Sequence, residues 1–203
     1  MSSVRMQEHS MTLDEFLAWE ERQEGRHEFV DGVIRAMSGA SYDHNQIVLN
    51  LSRETSNRLM GKPCRSFPSA QKVRAEASDT TLYPDVGIHC GKPKLGAGNA
   101  LLNVVAVFEV QSPSTYRYDR TDKFQHYQQI ETLQEYFLVY QDTARIEAFR
   151  RTEEGDWDVA TYTVYVGLGA TLMVESAEIA IPLSGIYYGL DFTEQEAVIK
   201  EEE

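Results

Sequence analysis

The chain is short of the residues that would build a zinc domain, a disulfide scaffold, a membrane span or a broad duplex-binding face. It has two cysteines, Cys64 and Cys90. They form no Cys-x-x-Cys pair and belong to no Cys/His cluster with zinc spacing. Both lie in apolar, strand-like stretches, so they are expected as reduced, buried thiols. No apolar run approaches the length of a membrane helix. Met1 to Ser10 is polar and lacks the apolar core of a signal peptide. The expectation is a cytoplasmic protein with no membrane partner. Positive charge is scarce: 19 Lys and Arg stand against 32 Asp and Glu, for a net charge of −13. That argues against a broad basic face for duplex DNA. It agrees with acids gathered around a bound cation, although the acidic tail Glu194 to Glu203 inflates the total. Internal repeats and low-complexity linkers are absent. One domain is expected over residues 11–192, with flexible polar termini at 1–10 and 193–203.

What is present reads as a mixed α/β chain. Thr12-Leu13-Asp14-Glu15 has the pattern of a capping box, and Gly25 is the expected stop of the helix it opens. Asp31-Gly32 between Phe29-Val30 and Val33-Ile34 predicts a tight hairpin. A second helix should start near Ser41, with Val48, Leu51, Thr55 and Leu59 at helical spacing and Gly61 at its end. Strands are expected at Arg65–Pro68, Gln71–Ala75 and Leu82–His89. Leu101–Gln111 is the most apolar run and reads as a central strand covered on both faces. A helix over Tyr118–Ile130 and a buried strand over Tyr136–Tyr140 follow. Antiparallel hairpins close the chain: Arg145–Arg150, Trp157–Val164, Leu172–Val174 and Glu178–Ile181, with a turn at Glu154-Gly155-Asp156. This order suggests a mixed sheet with helices on both faces.

Glu109 is the anomaly in that pattern. An acid near the end of an interior strand costs several kcal/mol, by order of magnitude, unless something compensates its charge. An arginine partner would do so, and so would a metal ion; buried acids mark functional sites only part of the time. Asp85 tips the balance. It follows Pro84 and opens the apolar run Val86-Gly87-Ile88. Acids at matching ends of two strands can share one cation, and oxygen-only ligation suits Mg²⁺ or Mn²⁺ rather than zinc.

Pro84-Asp85 followed by Glu109-Val110-Gln111 resembles the split PD-(D/E)XK signature of restriction-endonuclease-like enzymes. His27-Glu28-Phe29-Val30-Asp31-Gly32, Tyr42-Asp43-His44, Tyr83-Pro84-Asp85-Val86, Glu109 to Thr115 and Asp119 to Tyr127 occur in order. Together they resemble the Uma family of bacterial restriction-endonuclease-like proteins, from about Met11 to Phe192. The resemblance implies a restriction-endonuclease-like core and an endonuclease that hydrolyses phosphodiester bonds of nucleic acid, with DNA the expected substrate. It implies a metal-activated water, with Asp85, Glu109 and the main-chain carbonyl of Val110 as ligands. The departure is Gln111, where the superfamily usually carries lysine. Glutamine can orient a water but brings no charge. Lys123 is the expected substitute, on the following helix and on one face with Tyr127; a solvated surface lysine is its bland alternative. Glu28 and His44 are weaker pocket candidates, each ordinary as an exposed or structural residue. Ser114 or Thr115 is expected to cap the next helix.

Two other readings compete. One is a catalytically degenerate nuclease fold that serves as an interaction module, favoured by Gln111 and the acidic balance. The other is a metal hydrolase acting on a small phosphate ester. A homodimer is a further expectation, since late hairpins such as Trp157–Val164 offer unpaired edges.

Overall fold

The computed structural model describes residues 11–37, 39–112 and 115–192. The termini expected to be flexible lie outside that set. Helix α1 spans Leu13–Glu20 and opens on the capping box: the Glu15 N–H donates to Thr12 Oγ1 at 3.3 Å, and the Thr12 N–H donates to Glu15 Oε2 at 2.8 Å. The helix ends well before Gly25, where the chain turns so that Glu20 can accept from the backbone of His27. Strands β1 (His27–Val30) and β2 (Val33–Ala36) form the expected hairpin. Its turn residues, Asp31 and Gly32, both take positive φ, as this turn requires. Helix α2 spans Tyr42–Leu59, with Ser41 Oγ accepting from the His44 N–H.

Strands β3 (Cys64–Pro68), β4 (Val73–Ala75), β5 (Thr80–Leu82), β6 (Val86–Cys90) and β7 (Val104–Gln111) follow. The expected strand over Leu82–His89 is therefore two strands. They belong to different sheets, and Tyr83-Pro84-Asp85 carries the chain from one to the other. Proline supplies no N–H to continue a ladder, which is why the break falls there. The expected helix over Tyr118–Ile130 is also interrupted. It consists of α3 (Tyr116–Tyr118), a π-helical turn over Asp119–Lys123, and α4 (Phe124–Gln128). Thr115 stands at its N-cap without a side-chain capping bond, and Ser114 is outside the described residues.

Strands β8 (Glu135–Tyr140), β9 (Arg145–Arg150) and β10 (Thr163–Val166) complete the main sheet, in the order β10-β9-β8-β7-β6-β3. Only β7 and β8 run parallel. The smaller sheet has the order β2-β1-β5-β4. A last hairpin, β11 (Thr171–Val174) and β12 (Ile179–Pro182), leads into α5 (Leu183–Ile186). The expected strand over Trp157–Val164 is corrected. Trp157 makes a single bridge to Arg151, Asp158 folds the next residues into a turn by accepting from Ala160 and Thr161, and only Thr163–Val166 pairs with β9.

The main sheet is covered on both sides. Phe108 and Val110 of β7 pack with Ile47 and Leu51 of α2 and with the β11–β12 hairpin and α5. On the opposite face Val107 and Leu138 pack with Phe124 and Tyr127 of α4 and with Val30, Val73 and Leu82 of the smaller sheet. β7 is thus interior, as its apolar run predicts.

The cysteines correct the sequence reading. Antiparallel register sets Cys64 of β3 directly opposite Cys90 of β6, and the two form a disulfide. Register between strands distant in sequence creates the pair, and spacing alone carries no trace of it.

On the same pair of strands Phe67 lies over Gly87, where an added Cβ would sit 2.1 Å from the ring. Gly87→Ala should therefore cost about 1–3 kcal/mol through overpacking. Chemical denaturation checks this, and an unchanged midpoint would contradict the close contact.

Candidate active site

β8 accompanies β7 through Gln111↔Tyr140, but β6 pairs only as far as Val86↔Phe108. Glu109, Val110 and Gln111 therefore run past the end of β6 with one flank open. Extending the register by one residue sets Asp85 opposite Glu109, and opposed residues of an antiparallel pair share a face. The open flank is used by Asp85, whose Oδ2 accepts from the Val110 N–H at 2.7 Å. In a strand the carbonyl of a residue points to the same flank as its N–H, so the Val110 oxygen faces this opening too. His44, at the start of α2, reaches the same place. Its Nε2 lies 3.3 Å from Asp85 Oδ1. Burial opposes its protonation, but the Asp85 carboxylate and the Val110 carbonyl outweigh burial and raise its pKa.

Glu109 projects from the sheet toward the interrupted helix and is 3% exposed. Tyr127 donates to its Oε1 at 2.7 Å, and Lys123 Nζ lies 3.0 Å from the same oxygen. Lys123 is itself buried and also lies 3.0 Å from Glu28 Oε1 on β1. Glu28 accepts in addition from the Tyr83 N–H and the Tyr118 hydroxyl. Asp119 is buried on the π turn that carries Lys123. Such turns recur at functional sites, and this one turns Asp119 and Lys123 both inward.

The charge balance is uneven. Burial disfavours the charged Lys123, yet Glu109, Glu28, Asp119 and Asp85 together hold its pKa well above the ordinary lysine value. One ammonium cannot satisfy four acids. Burial raises the Glu109 carboxyl well above its ordinary value, Lys123 pulls it back, and Asp85, Asp119 and Glu28 push it up again. Asp119 is raised mainly by burial as well. The cluster therefore retains a proton more firmly than its members would alone, and it is short of positive charge.

The structure brings together Asp85, Glu109, Lys123, Tyr127, Glu28 and His44, with the Val110 backbone among them. Gln111 is adjacent but engaged elsewhere: its Nε2 sits 3.5 Å from the Tyr116 carbonyl, and its Oε1 is buried with no hydrogen-bond partner among the described residues. Asp119, Tyr118 and Tyr83 escape the sequence reading. For Asp119 the signal was its spacing of four from Lys123; for the tyrosines there was none. Among the described residues no three His, Cys, Asp or Glu side chains stand ready to hold a metal ion. Two carboxylates and the Val110 carbonyl remain as a donor set, all oxygen, at the edge of a site with surplus negative charge. That set fits a hard divalent cation.

Comparison with known proteins agrees with this architecture. A family model named Uma2, described as "Putative restriction endonuclease", matches residues 13–181. An uncharacterized protein of Synechocystis sp. (strain ATCC 27184 / PCC 6803 / Kazusa) is 34% identical, covering 90% of this chain and 94% of its own. A second uncharacterized protein of that organism is 32% identical, covering 83% and 91%. A crystal structure of a protein from Anabaena variabilis ATCC 29413, described as "a putative nuclease belonging to DUF820", superposes with a TM-score of 0.69 at 17% identity. It covers 87% of this chain and 97% of that one, and shares the fold.

The raised Glu109 carboxyl has a consequence for stability in the absence of divalent ions. Its folded pKa lies above the ordinary 4.5, so its stabilising contribution is complete below that value and is lost as pH rises through the folded pKa. Glu109→Gln removes this dependence. In EDTA the stability of Glu109→Gln relative to wild type should increase as pH rises from 4.5, read by urea denaturation at several pH values. A constant or falling difference would contradict the assignment.

Proposed function

The chain belongs to the Uma2 family, and on that premise we propose that residues 11–192 form a divalent-metal-dependent endonuclease that hydrolyses phosphodiester bonds of nucleic acid. The observation that carries the reading is the acid cluster at the open end of β7, where Asp85 holds the Val110 N–H and Glu109 meets a buried lysine. Asp85, Glu109 and the Val110 carbonyl would hold Mg²⁺ or Mn²⁺. Such an ion would supply Lewis-acid polarisation of the phosphate and a more acidic water.

The protein's own groups have separable tasks. Tyr127 and Lys123 fix the Glu109 carboxylate on one oxygen and leave the other for a cation. Glu28 holds Lys123 in place from the opposite side. Lys123 then provides a preorganised positive charge where negative charge grows on the phosphate, in a site where water does not screen it. It supplies the charge that Gln111 lacks. Gln111 keeps hydrogen-bonding capacity and can orient a water through its Oε1, which has no partner among the described residues.

Three variants test the assignment by cleavage of plasmid and oligonucleotide substrates with Mn²⁺ or Mg²⁺. Asp85→Ala and Glu109→Ala should abolish cleavage with the fold retained, and Lys123→Met should slow it about 100-fold or more. Wild-type rates in clean Asp85→Ala and Glu109→Ala proteins would defeat the reading. Metal binding should also expel the proton the cluster retains. Titration calorimetry in buffers of different ionisation enthalpy should show proton release and tighter Mn²⁺ binding at pH 8 than at pH 6. Gln111 favours a second reading, an interaction module without catalysis; absence of both Mn²⁺ binding and cleavage would support it.

A further inference from the structure

An acidic site that takes a polyanion needs positive charge near it, and many of the arginines are tied to acids elsewhere. Arg53 and Arg58 pair with Glu54, Arg74 with Asp79, Arg120 and Arg145 with Glu147, and Arg150 with Glu135 and Glu175, while Arg151 is spent on backbone carbonyls. Arg22, Lys92 and Lys94 are exposed and make no ion pair among the described residues either, but Arg35 and Arg117 stand next to the site. Both are exposed and neither makes an ion pair with an acid among the described residues, and Arg35 lies opposite Glu28 in the β1–β2 register. Both flank Tyr118, whose hydroxyl donates to Glu28 of the acid cluster. The Arg35 guanidinium lies 4.6 Å from the Tyr118 ring centroid, and Arg117 precedes Tyr118 in α3. Arg35 therefore stands one side chain away from the acids.

Exposed tyrosines stand near the end of β8. Ser41 Oγ donates to Gln141 Oε1, tying the start of α2 to the end of β8. The next residue, Tyr42, is 77% exposed, two positions before His44. Tyr116, 42% exposed, packs edge-on against Tyr140 at the end of β8, and its carbonyl meets Gln111. Two exposed tyrosines and two exposed arginines thus belong to the segments next to the acidic opening. Two phosphate contacts beside the opening are few for holding a duplex against a net charge of −13. Aromatic rings can stack only on bases that are not already stacked and paired in a helix.

We propose that the substrate is single-stranded nucleic acid, its phosphates held by Arg35 and Arg117 and its bases stacked on Tyr42 and Tyr116. The proposal rests on the nuclease reading for its biological sense, but binding tests it apart from cleavage. Fluorescence anisotropy with labelled single-stranded and duplex oligonucleotides, in Ca²⁺ so that no strand is cut, should show at least tenfold preference for the single strand. Arg35→Ala and Arg117→Ala should each reduce the slope of log affinity against log salt by about 0.7. Tyr42→Ala and Tyr116→Ala should each weaken binding roughly tenfold with the slope unchanged. Equal or tighter binding of duplex, or single-strand binding indifferent to all four substitutions, would overturn the proposal. Metal-dependent cleavage of duplex would at the same time leave the nuclease reading standing. Absence of cleavage on either substrate would count against that reading alone.

Discussion

The site depends on one buried ammonium shared between two strands' acids. Lys123 lies 3.0 Å from both Glu109 on β7 and Glu28 on β1, and so joins the main sheet, the smaller sheet and the helix between them. Removing one partner of a buried charge pair leaves the other charge uncompensated, a cost of about 3–5 kcal/mol. The three elements are therefore bound to one geometry by a charge none of them can give up. The same ammonium cannot neutralise Glu28, Asp85, Glu109 and Asp119 together. This shortage is what the proposed cation would offset, and it follows from burial and proximity rather than from any motif.

The backbone prepares the opening. Pro84 ends pairing between β6 and β7, so the last residues of β7 keep one flank unpaired. Asp85 occupies part of that flank by accepting from Val110, and His44 meets Asp85 from α2. A strand that runs past its neighbour would ordinarily waste its backbone polar groups. Here they are paired with side chains that share the site. The π turn does the corresponding work on the helix, turning Asp119 and Lys123 toward the sheet in one step.

Features written locally in the chain were legible from it. The capping box at Thr12, the Asp31-Gly32 hairpin, the Ser41 start of α2 and the interior character of β7 each rest on a few neighbouring residues. Glu109 stood out as an acid on an interior strand and Asp85 as an acid opening another, while Lys123 was legible through the family resemblance, as the substitute for the charge that Gln111 lacks. Glu28 looked like an unremarkable hairpin acid, since nothing nearby in sequence announces that β1 packs against the helix bearing Lys123. The division of 82–89 between two sheets and the pairing of Cys64 with Cys90 depend on register between distant strands. The π turn depends on packing. These are tertiary facts, and hydrophobic periodicity does not encode them.

Diffraction from crystals soaked in Mn²⁺, with data collected to detect the anomalous signal of manganese, tests the central claim most directly. The expected result is a peak at the open end of β7, with oxygens of Asp85, Glu109 and the Val110 carbonyl at about 2.0–2.3 Å. A site that stays empty at saturating Mn²⁺, with Glu109 still bound only to Lys123 and Tyr127, would contradict it.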